Sequence, residues 1–215
     1  MYGALAAGGA VAVLFASALA PTQNAQPVSD VPTEKIRVGI ETINGSGCPD
    51  GTAAVAVSPD NTAFTVTYSD YLAQVGVGAV PTDSRKNCQL SLRVQIPGGF
   101  TYAIASVDYR GYAHLQDGAT ALQRASYYHQ GESDTVASTT EFAGPLSDNW
   151  QATDSTEVAE LNWAPCGVER NFNVNTELRV SVGSSDRNST SFMTMDSTDG
   201  AVSTVYHVAW KECDS

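Results

Sequence analysis

The sequence predicts an all-β protein, built as a single antiparallel β-sandwich or barrel-like domain with two disulfides. Three observations predict this fold. Apolar residues alternate with polar ones along most of the chain, turn residues recur between these stretches, and no segment carries a sustained helical stripe of apolar residues. Period-two alternation is typical of strands that bury one face, and many short strands with frequent turns are typical of sandwiches and barrels.

The alternating stretches follow one another along the chain. They comprise Val38 with Ile40, Val55 with Val57, Phe64 with Val66 and Tyr68, Leu90 to Ile96, Tyr102 with Ile104, Phe172 to Val182, and Val202 to Trp210. Turn residues are concentrated between them at 44–45, 49–51, 58–61, 97–99 and 199–200. The best helix candidates, 69–75 and 154–161, are short. No repeat or linker divides residues 34–215, so we expect one β domain there.

An uncharged apolar segment, residues 4–20, begins the chain. It is short and Ala-rich for a membrane-spanning helix, which needs about 20 apolar residues. Two small-x-small motifs of the kind that signal peptidase cleaves lie at its C-terminal end. We therefore expect a signal peptide at 1–20, a flexible leader rich in Pro, Gln and Asn at 21–33, and a mature N-terminus between Leu19 and Val28. A retained membrane anchor is the alternative, because no Lys or Arg precedes the segment.

The four cysteines are Cys48, Cys88, Cys166 and Cys213, and none forms a C-x-x-C pair. An even number of cysteines in an exported chain indicates disulfides. Three pairings are possible. We choose Cys48–Cys88 and Cys166–Cys213, because each closes a loop within one half of the chain.

Acidic residues outnumber basic ones by 23 to 11, for a formal net charge of −12. This balance argues against a nucleic-acid partner and against docking on anionic membranes, since both need clustered Lys and Arg. With 42% hydrophobic and 16% charged residues, the chain can bury a core. We expect a soluble acidic protein that has no membrane partner once the signal peptide is removed.

The sequence contains no motif for catalysis, for a cofactor or for a metal. The histidines His114, His129 and His207 are far apart, and we expect them on strand surfaces or in hydrogen bonds. The G-x-S-x-G motif is absent, and nothing selects the members of a Ser-His-Asp triad. We therefore expect no cofactor and no metal.

Two carboxylate-rich segments, 148–154 and 196–200, keep other interpretations open. Asp and Asn near turns usually bond to their own backbone, but a calcium site or another ligand site is the alternative. Folding can also bring distant carboxylates together for glycoside hydrolysis. A secreted hydrolase is therefore the competing function.

Aromatic residues supply the binding-site hypothesis. Its members are Tyr109, Arg110, Tyr112, Tyr127 and Tyr128. Tyrosines on a sheet surface can stack on sugar rings, and an adjacent Arg can donate to a hydroxyl or carboxylate. Alternation places Tyr109 opposite in face to Tyr112, and Tyr127 opposite to Tyr128, so at least one ring should point to solvent. The competing interpretation is cross-strand packing. The three tryptophans are expected in the core.

Two sequons, Asn44-Gly45-Ser46 and Asn188-Ser189-Thr190, lie in polar, turn-like surroundings. They predict N-glycosylation at Asn44 and Asn188 if the host is a eukaryote.

An ordered set of short motifs is similar to that of one known family. The motifs are 44–49 (NGSGCP), 102–105 (YAIA), 108–111 (DYRG), 144–146 (GPL), 148–150 (DNW), 165–167 (PCG), 175–179 (NTELR), and Trp210 with Cys213. Over about residues 42–213, the chain resembles the secreted bacterial and fungal proteins of domain of unknown function family 4360. The resemblance implies secretion, one disulfide-bearing domain and no established activity, and it supplies no catalytic residue.

The sequence therefore predicts a secreted acidic β domain that is a non-enzymatic binding or structural protein, located outside the cell or on the cell wall. The expected partner is a surface glycan or an extracellular protein.

Overall fold

A computed structural model describes residues 31–195 and 204–213. Within these ranges the chain forms twelve strands and two 3₁₀ turns, with no α-helix. No helix in the same ranges is long and apolar enough to cross a membrane. The predicted signal peptide, its cleavage window, nearly all of the predicted leader and the acidic segment 196–200 lie outside the described residues. The division into signal peptide, leader and β domain stays a prediction.

The strands run in a regular succession along the chain. They are β1 (Arg37–Asn44), β2 (Ala53–Val57), β3 (Ala63–Tyr68), β4 (Leu72–Val75), β5 (Arg85–Gln95), β6 (Phe100–Leu115), β7 (Thr120–His129), β8 (Val136–Ala143), β9 (Leu146–Ser155), β10 (Asn171–Ser181), β11 (Ser191–Thr194) and β12 (Thr204–Glu212). The 3₁₀ turns are Pro81–Ser84 and Val158–Glu160. Neither helix candidate forms an α-helix: the first contains β4, which pairs with β11, and the second divides into the end of β9 and a 3₁₀ turn.

The strands form two antiparallel sheets that pack face to face. Sheet A has the order β1-β5-β10-β7-β8. In sheet B, β2, β3, β12, β6 and β9 lie side by side. Strand β6 is 16 residues long, so one of its edges pairs with β12 and then with β11, which in turn pairs with β4. The result is a sandwich and not a closed barrel.

Apolar residues that alternate along the sequence fill the space between the sheets, as predicted. Phe172 of sheet A packs edge-on against Phe64 and Tyr206 of sheet B, with ring centroids 6.4 and 6.0 Å apart. Trp150 and Trp210 are buried as expected, whereas Trp163 is only half-buried. Aromatic contacts of this kind join the two sheets into one core.

Polar side chains also lie in this core. The Tyr71 hydroxyl of the segment before β4 lies 3.0 Å from Thr176 Oγ1 of β10, which links the two sheets. Gln123 of β7 is fully buried, and neither atom of its amide bonds to another described residue. The core therefore contains both hydrogen-bonded polar side chains, such as Tyr71, and one buried amide, that of Gln123, with no hydrogen-bond partner among the described residues.

Two disulfides close the structure, and they are the pairs chosen from the sequence. Cys48–Cys88 joins the β1–β2 loop to β5, and Cys166–Cys213 joins the β9–β10 connection to the residue after β12. Their Cα separations of 5.4 and 5.9 Å are ordinary for disulfides.

Candidate functional site

The five residues predicted for the binding surface lie in three separate places. Tyr109 and Tyr127 point between the sheets and are 0% and 4% exposed. Arg110 and Tyr112 are on the outer face of sheet B, and Tyr128 is on the outer face of sheet A. The alternation rule is confirmed, because each tyrosine pair divides between core and surface. Tyr109 and Tyr127 are core residues and cannot contact a ligand on either outer face.

Strand β6 presents a row of four outward side chains on sheet B. Their inward neighbours along the strand are buried, whereas the row itself is partly exposed. The row consists of Asp108, Arg110, Tyr112 and His114. Across it, β9 places Thr153, Gln151, Asn149 and Ser147 in register, and on the other side Phe192 of β11 stands opposite His114. This surface is termed the β6 face.

Three partly exposed rings form an aromatic patch on the β6 face, made of Tyr112, His114 and Phe192. The Phe192 centroid lies 6.0 Å from Tyr112 and 5.6 Å from His114, at interplanar angles of 34° and 33°. Ser147 Oγ lies 2.9 Å from the Tyr112 hydroxyl and 3.2 Å from His114 Nδ1, and Gln116 Nε2 lies 2.9 Å from His114 Nε2. These bonds fix the orientations of Tyr112 and His114 before a ligand arrives, which lowers the entropic cost of binding.

A glycine beneath the patch allows β11 to approach β6. A Cβ on Gly111 would lie 1.9 Å from the Thr194 carbonyl oxygen and 2.8 Å from the Trp150 indole. Trp150 Nε1 donates to that carbonyl at 3.1 Å, and the Tyr112 amide donates to Thr194 Oγ1 at 3.2 Å. These contacts hold β11 in place, and with it Phe192, beside Tyr112.

A hydrogen-bonded carboxylate lies at the other end of the row. Asp108 Oδ1 accepts from Thr153 Oγ1 at 2.6 Å and from Gln151 Nε2 at 3.4 Å, and Oδ2 lies 3.0 Å from His207 Nε2. Burial alone would raise the pKa of Asp108, but the hydrogen bonds of Thr153 and His207 and the charge of Arg110 hold that pKa below its usual range. Asp108 is therefore ionised at neutral pH.

Arg110 stands between Asp108 and Tyr112 on the strand. No carboxylate of the described ranges forms an ion pair with its guanidinium. Its planar fork of N–H donors suits a hydroxyl or a carboxylate. The β6 face thus sets aromatic rings, a cation and an anion side by side.

The acidic segment 148–154 does not have the geometry of a calcium site. Residues 148–154 lie along the extended strand β9, so Asp148 and Asp154 are roughly 20 Å apart and cannot share an ion. In the described ranges, no group of three or more His, Cys, Asp or Glu is placed to hold a metal. Burial raises the pKa of Asp154, which accepts a hydrogen bond from Ser138 on the inner side. The calcium alternative at 148–154 is therefore wrong.

The histidines lie as predicted, each in a hydrogen bond. His114 is on the β6 face, His207 of β12 borders that face at Asp108, and His129 is buried with Nε2 3.2 Å from the Asn162 carbonyl oxygen. Burial lowers the pKa of His129, so the ring stays neutral in the core.

A cleft of about 310 Å³ lies where the 96–99 turn meets residues 164–170. Its lining includes Phe100, Tyr102 and Val168, and its one carboxylate is Glu169, 3.8 Å from Arg93. Glycoside hydrolysis by paired carboxylates needs two such groups in one cleft. This cleft therefore does not supply the geometry of the predicted hydrolase.

The outer face of sheet A is a second polar surface, and Tyr128 belongs to it. Asn171, Asn173 and Asn175 point outward from β10, which lies in the middle of the sheet. Asn44 at the edge of this face and Asn188 in a loop are both exposed, and their glycosylation stays a prediction.

Sequence reasoning missed three members of the β6 face. His114 shares its parity with Tyr112, so the alternation rule alone would have placed both on one face. Asp108 follows by the same rule. Phe192 carries no such signal, because β11 is only four residues long and reaches β6 through non-local pairing.

Comparison with known proteins gives one matching family. The family model described as Domain of unknown function (DUF4360) matches residues 34–213. An "Uncharacterized secreted protein" of Arthroderma benhamiae is 32% identical over 209 residues, covering 93% of this chain and 84% of the relative. Among solved structures, the enzymatically active domain of bacteriophage CBA120 tailspike protein 4 superposes with a TM-score of 0.26 at 11% identity, over 80% of this chain and 19% of that one. A superposition this weak carries no argument about function.

Proposed function

This chain belongs to the DUF4360 family, as its motif order predicted, and we propose that it is an extracellular protein that binds glycans without catalysing a reaction. A relative at 32% identity is described as secreted. The two disulfides are typical of proteins that reside in oxidising compartments. We place the binding element on the β6 face.

The aromatic patch carries this proposal. Its three rings are partly exposed, and the polar atoms of Tyr112 and His114 are already bonded to Ser147 and Gln116. The apolar faces of sugar rings stack on such aromatic surfaces, and a stacking contact contributes about 1 kcal/mol.

Polar groups at the right spacing surround the patch. Outward positions on one strand repeat about every 7 Å. Arg110 therefore lies one step from Tyr112 and can donate to a hydroxyl or carboxylate of the same glycan. Asp108 lies one further step away and can accept from a hydroxyl.

The same geometry favours binding over hydrolysis. Both oxygens of Asp108 already accept hydrogen bonds, and Asp108 is the one carboxylate among the residues that define the β6 face. Glycoside hydrolysis by paired carboxyls needs two groups about 5–9.5 Å apart across the bond that breaks. Cell-wall association is part of the proposal, because a glycan-binding protein is retained where glycans are dense.

The test measures retention of the purified protein on immobilised glycans. We expect Tyr112→Ala and Phe192→Ala each to weaken binding by about fivefold, the equivalent of one stacking contact. Tyr112→Phe is the matched control, because it keeps the ring and removes only the hydroxyl contact to Ser147. Arg110→Gln should weaken binding to polygalacturonate more than to a neutral β-glucan. Unchanged retention together with a lower melting temperature in both Ala variants would show that the patch serves packing.

A further inference from the structure

We infer that the outer face of sheet A is a second binding surface, suited to a neutral polysaccharide chain, so that one molecule bridges two glycan chains. The bridging step rests on the proposed function of the β6 face. The second surface stands on separate observations on the opposite side of the sandwich.

Eight polar side chains form two parallel rows on four neighbouring strands, here termed the amide grid. Strand register aligns Asn44, Gln89, Asn175 and Ser126 in one row. The other row contains Thr42, Ser91, Asn173 and Tyr128. With strands about 4.8 Å apart, each row spans about 14 Å, and the rows lie about 7 Å from each other. This is a flat, regular array of hydrogen-bonding groups.

The residue types in the grid run against local strand preference. Asn is depleted in strands, yet neighbouring outward positions of β10 in the middle of the sheet carry Asn173 and Asn175. Thr or Val at these positions would suit the strand better. Residues that oppose local propensity without a structural benefit mark sites kept for another purpose.

The amides of the grid are available to a ligand. Among the described residues, no side-chain hydrogen bond engages Gln89, Asn173 or Asn175, whereas Asn171 just outside the grid donates to Ser91 Oγ at 3.1 Å. Each amide offers two donors and an acceptor, which matches hydroxyls that both donate and accept. Tyr128 at one end of its row adds a partly exposed ring for stacking.

Charge identifies the occupant as neutral. The eight grid residues carry no charge in a chain of formal charge −12, so an anionic polymer gains little attraction here and meets long-range repulsion. Charged residues lie at the grid's borders and not within it, and among them Arg124, in register with Glu177, forms no ion pair with another described residue. Glu177 is bonded to Arg85 and Arg179 at one end, and Arg93 pairs with Glu41 at the other. A cationic polymer would likewise find few free carboxylates on this face.

The two surfaces face in opposite directions, because the sheets of a sandwich pack about 10 Å apart with their outer faces turned away from each other. A polymer held on the amide grid therefore cannot also lie on the β6 face without wrapping the molecule. Binding at both faces brings two chains together.

The experiment uses insoluble neutral β-glucan particles and protein secreted to a bacterial periplasm, where disulfides form and no N-glycan is added. Three forms are compared by particle binding and by agglutination: the native protein, Asn173→Ala/Asn175→Ala, and Tyr112→Ala/Phe192→Ala. Asn171→Ala is the matched control for loss of an amide on the same strand and face. Unfolding curves verify that each variant folds.

We expect the asparagine double variant to bind about tenfold more weakly, as for two lost hydrogen bonds, and Asn171→Ala to bind within about twofold of native. Each double variant should bind through its remaining face but not agglutinate the particles. Native-like binding by the asparagine variant, or native binding without agglutination, would overturn the inference. Native-like binding by the Tyr112/Phe192 variant would instead contradict the proposed function of the β6 face, while leaving the grid supported if the asparagine variant is weakened.

Discussion

We expect Gln123→Met to stabilise the protein, because the buried amide of Gln123 lies in a core that gives it no hydrogen bond. The residue is 0% exposed on the inner side of β7, and neither Nε2 nor Oε1 bonds to another described residue. Met has nearly the same length and shape without the polar atoms, so it fills the same space with little strain.

The magnitude follows from the cost of an unpaired buried polar group, which is about 1–3 kcal/mol. Removing the amide should therefore raise the free energy of unfolding by about 1–3 kcal/mol. For a domain of this size, each kcal/mol shifts the melting temperature by about 2–4 °C, so we expect an increase of about 2–12 °C.

Urea and thermal unfolding of the oxidised protein measure this change. The urea midpoint should rise while the m-value stays constant, because the surface exposed on unfolding is unchanged. Gln89→Met is the matched control, since Gln89 is exposed on the outer face of the same sheet and its substitution should change stability by less than about 0.5 kcal/mol. A loss of more than about 1 kcal/mol in Gln123→Met would refute the reasoning and show that the amide is satisfied in the folded protein.

Three further outcomes are expected. Gly111→Ala should lower the free energy of unfolding by more than 2 kcal/mol, about the scale of overpacking, and should weaken glycan retention, because the new Cβ meets the Thr194 carbonyl oxygen. Native-like unfolding would contradict the close approach of β11 to Gly111. Cys213→Ser should cost up to about 4 kcal/mol and leave a thiol on Cys166 that a maleimide label detects, whereas labelling of another cysteine would exclude this pairing. Folding lowers the pKa of Asp108, so its carboxylate stabilises the protein above about pH 4, and this contribution is lost as the pH falls through the pKa of the folded state. Asp108→Asn should therefore be less stable than the native protein at pH 7, and the difference in the free energy of unfolding should disappear in acid. Urea unfolding at several pH values measures this difference.

The fold class could be predicted because strand alternation is a local property. Leu90, Leu92 and Val94 show which side of β5 is buried without any knowledge of its neighbours. The choice between sandwich and barrel could not be made, because it depends on which strands pair. The order β1-β5-β10-β7-β8 joins strands that are distant in sequence.

The candidate site could be predicted only in part, for a related reason. Alternation showed that Tyr109 and Tyr112 lie on opposite faces, but both faces carry a tyrosine, so the sequence alone does not show which one is buried. The binding-site hypothesis also grouped Tyr112 with Tyr128, whereas β6 and β7 belong to different sheets and the two rings point away from the sandwich on opposite sides. The burial of Tyr109 and the separation of Tyr112 from Tyr128 both depend on how the strands are arranged in the two sheets.

The two disulfides have a consequence for the lifetime of the protein among extracellular proteases. A single cut at any bond between Cys166 and Cys213, including one in the 196–203 segment, leaves the two fragments covalently joined. The same holds for any cut between Cys48 and Cys88. Because a nicked molecule keeps β10, β11 and β12 tethered, its strands can re-pair at high local concentration instead of diffusing apart. Together the two covalent loops protect β2 to β4 and β10 to β12 from loss after one cleavage.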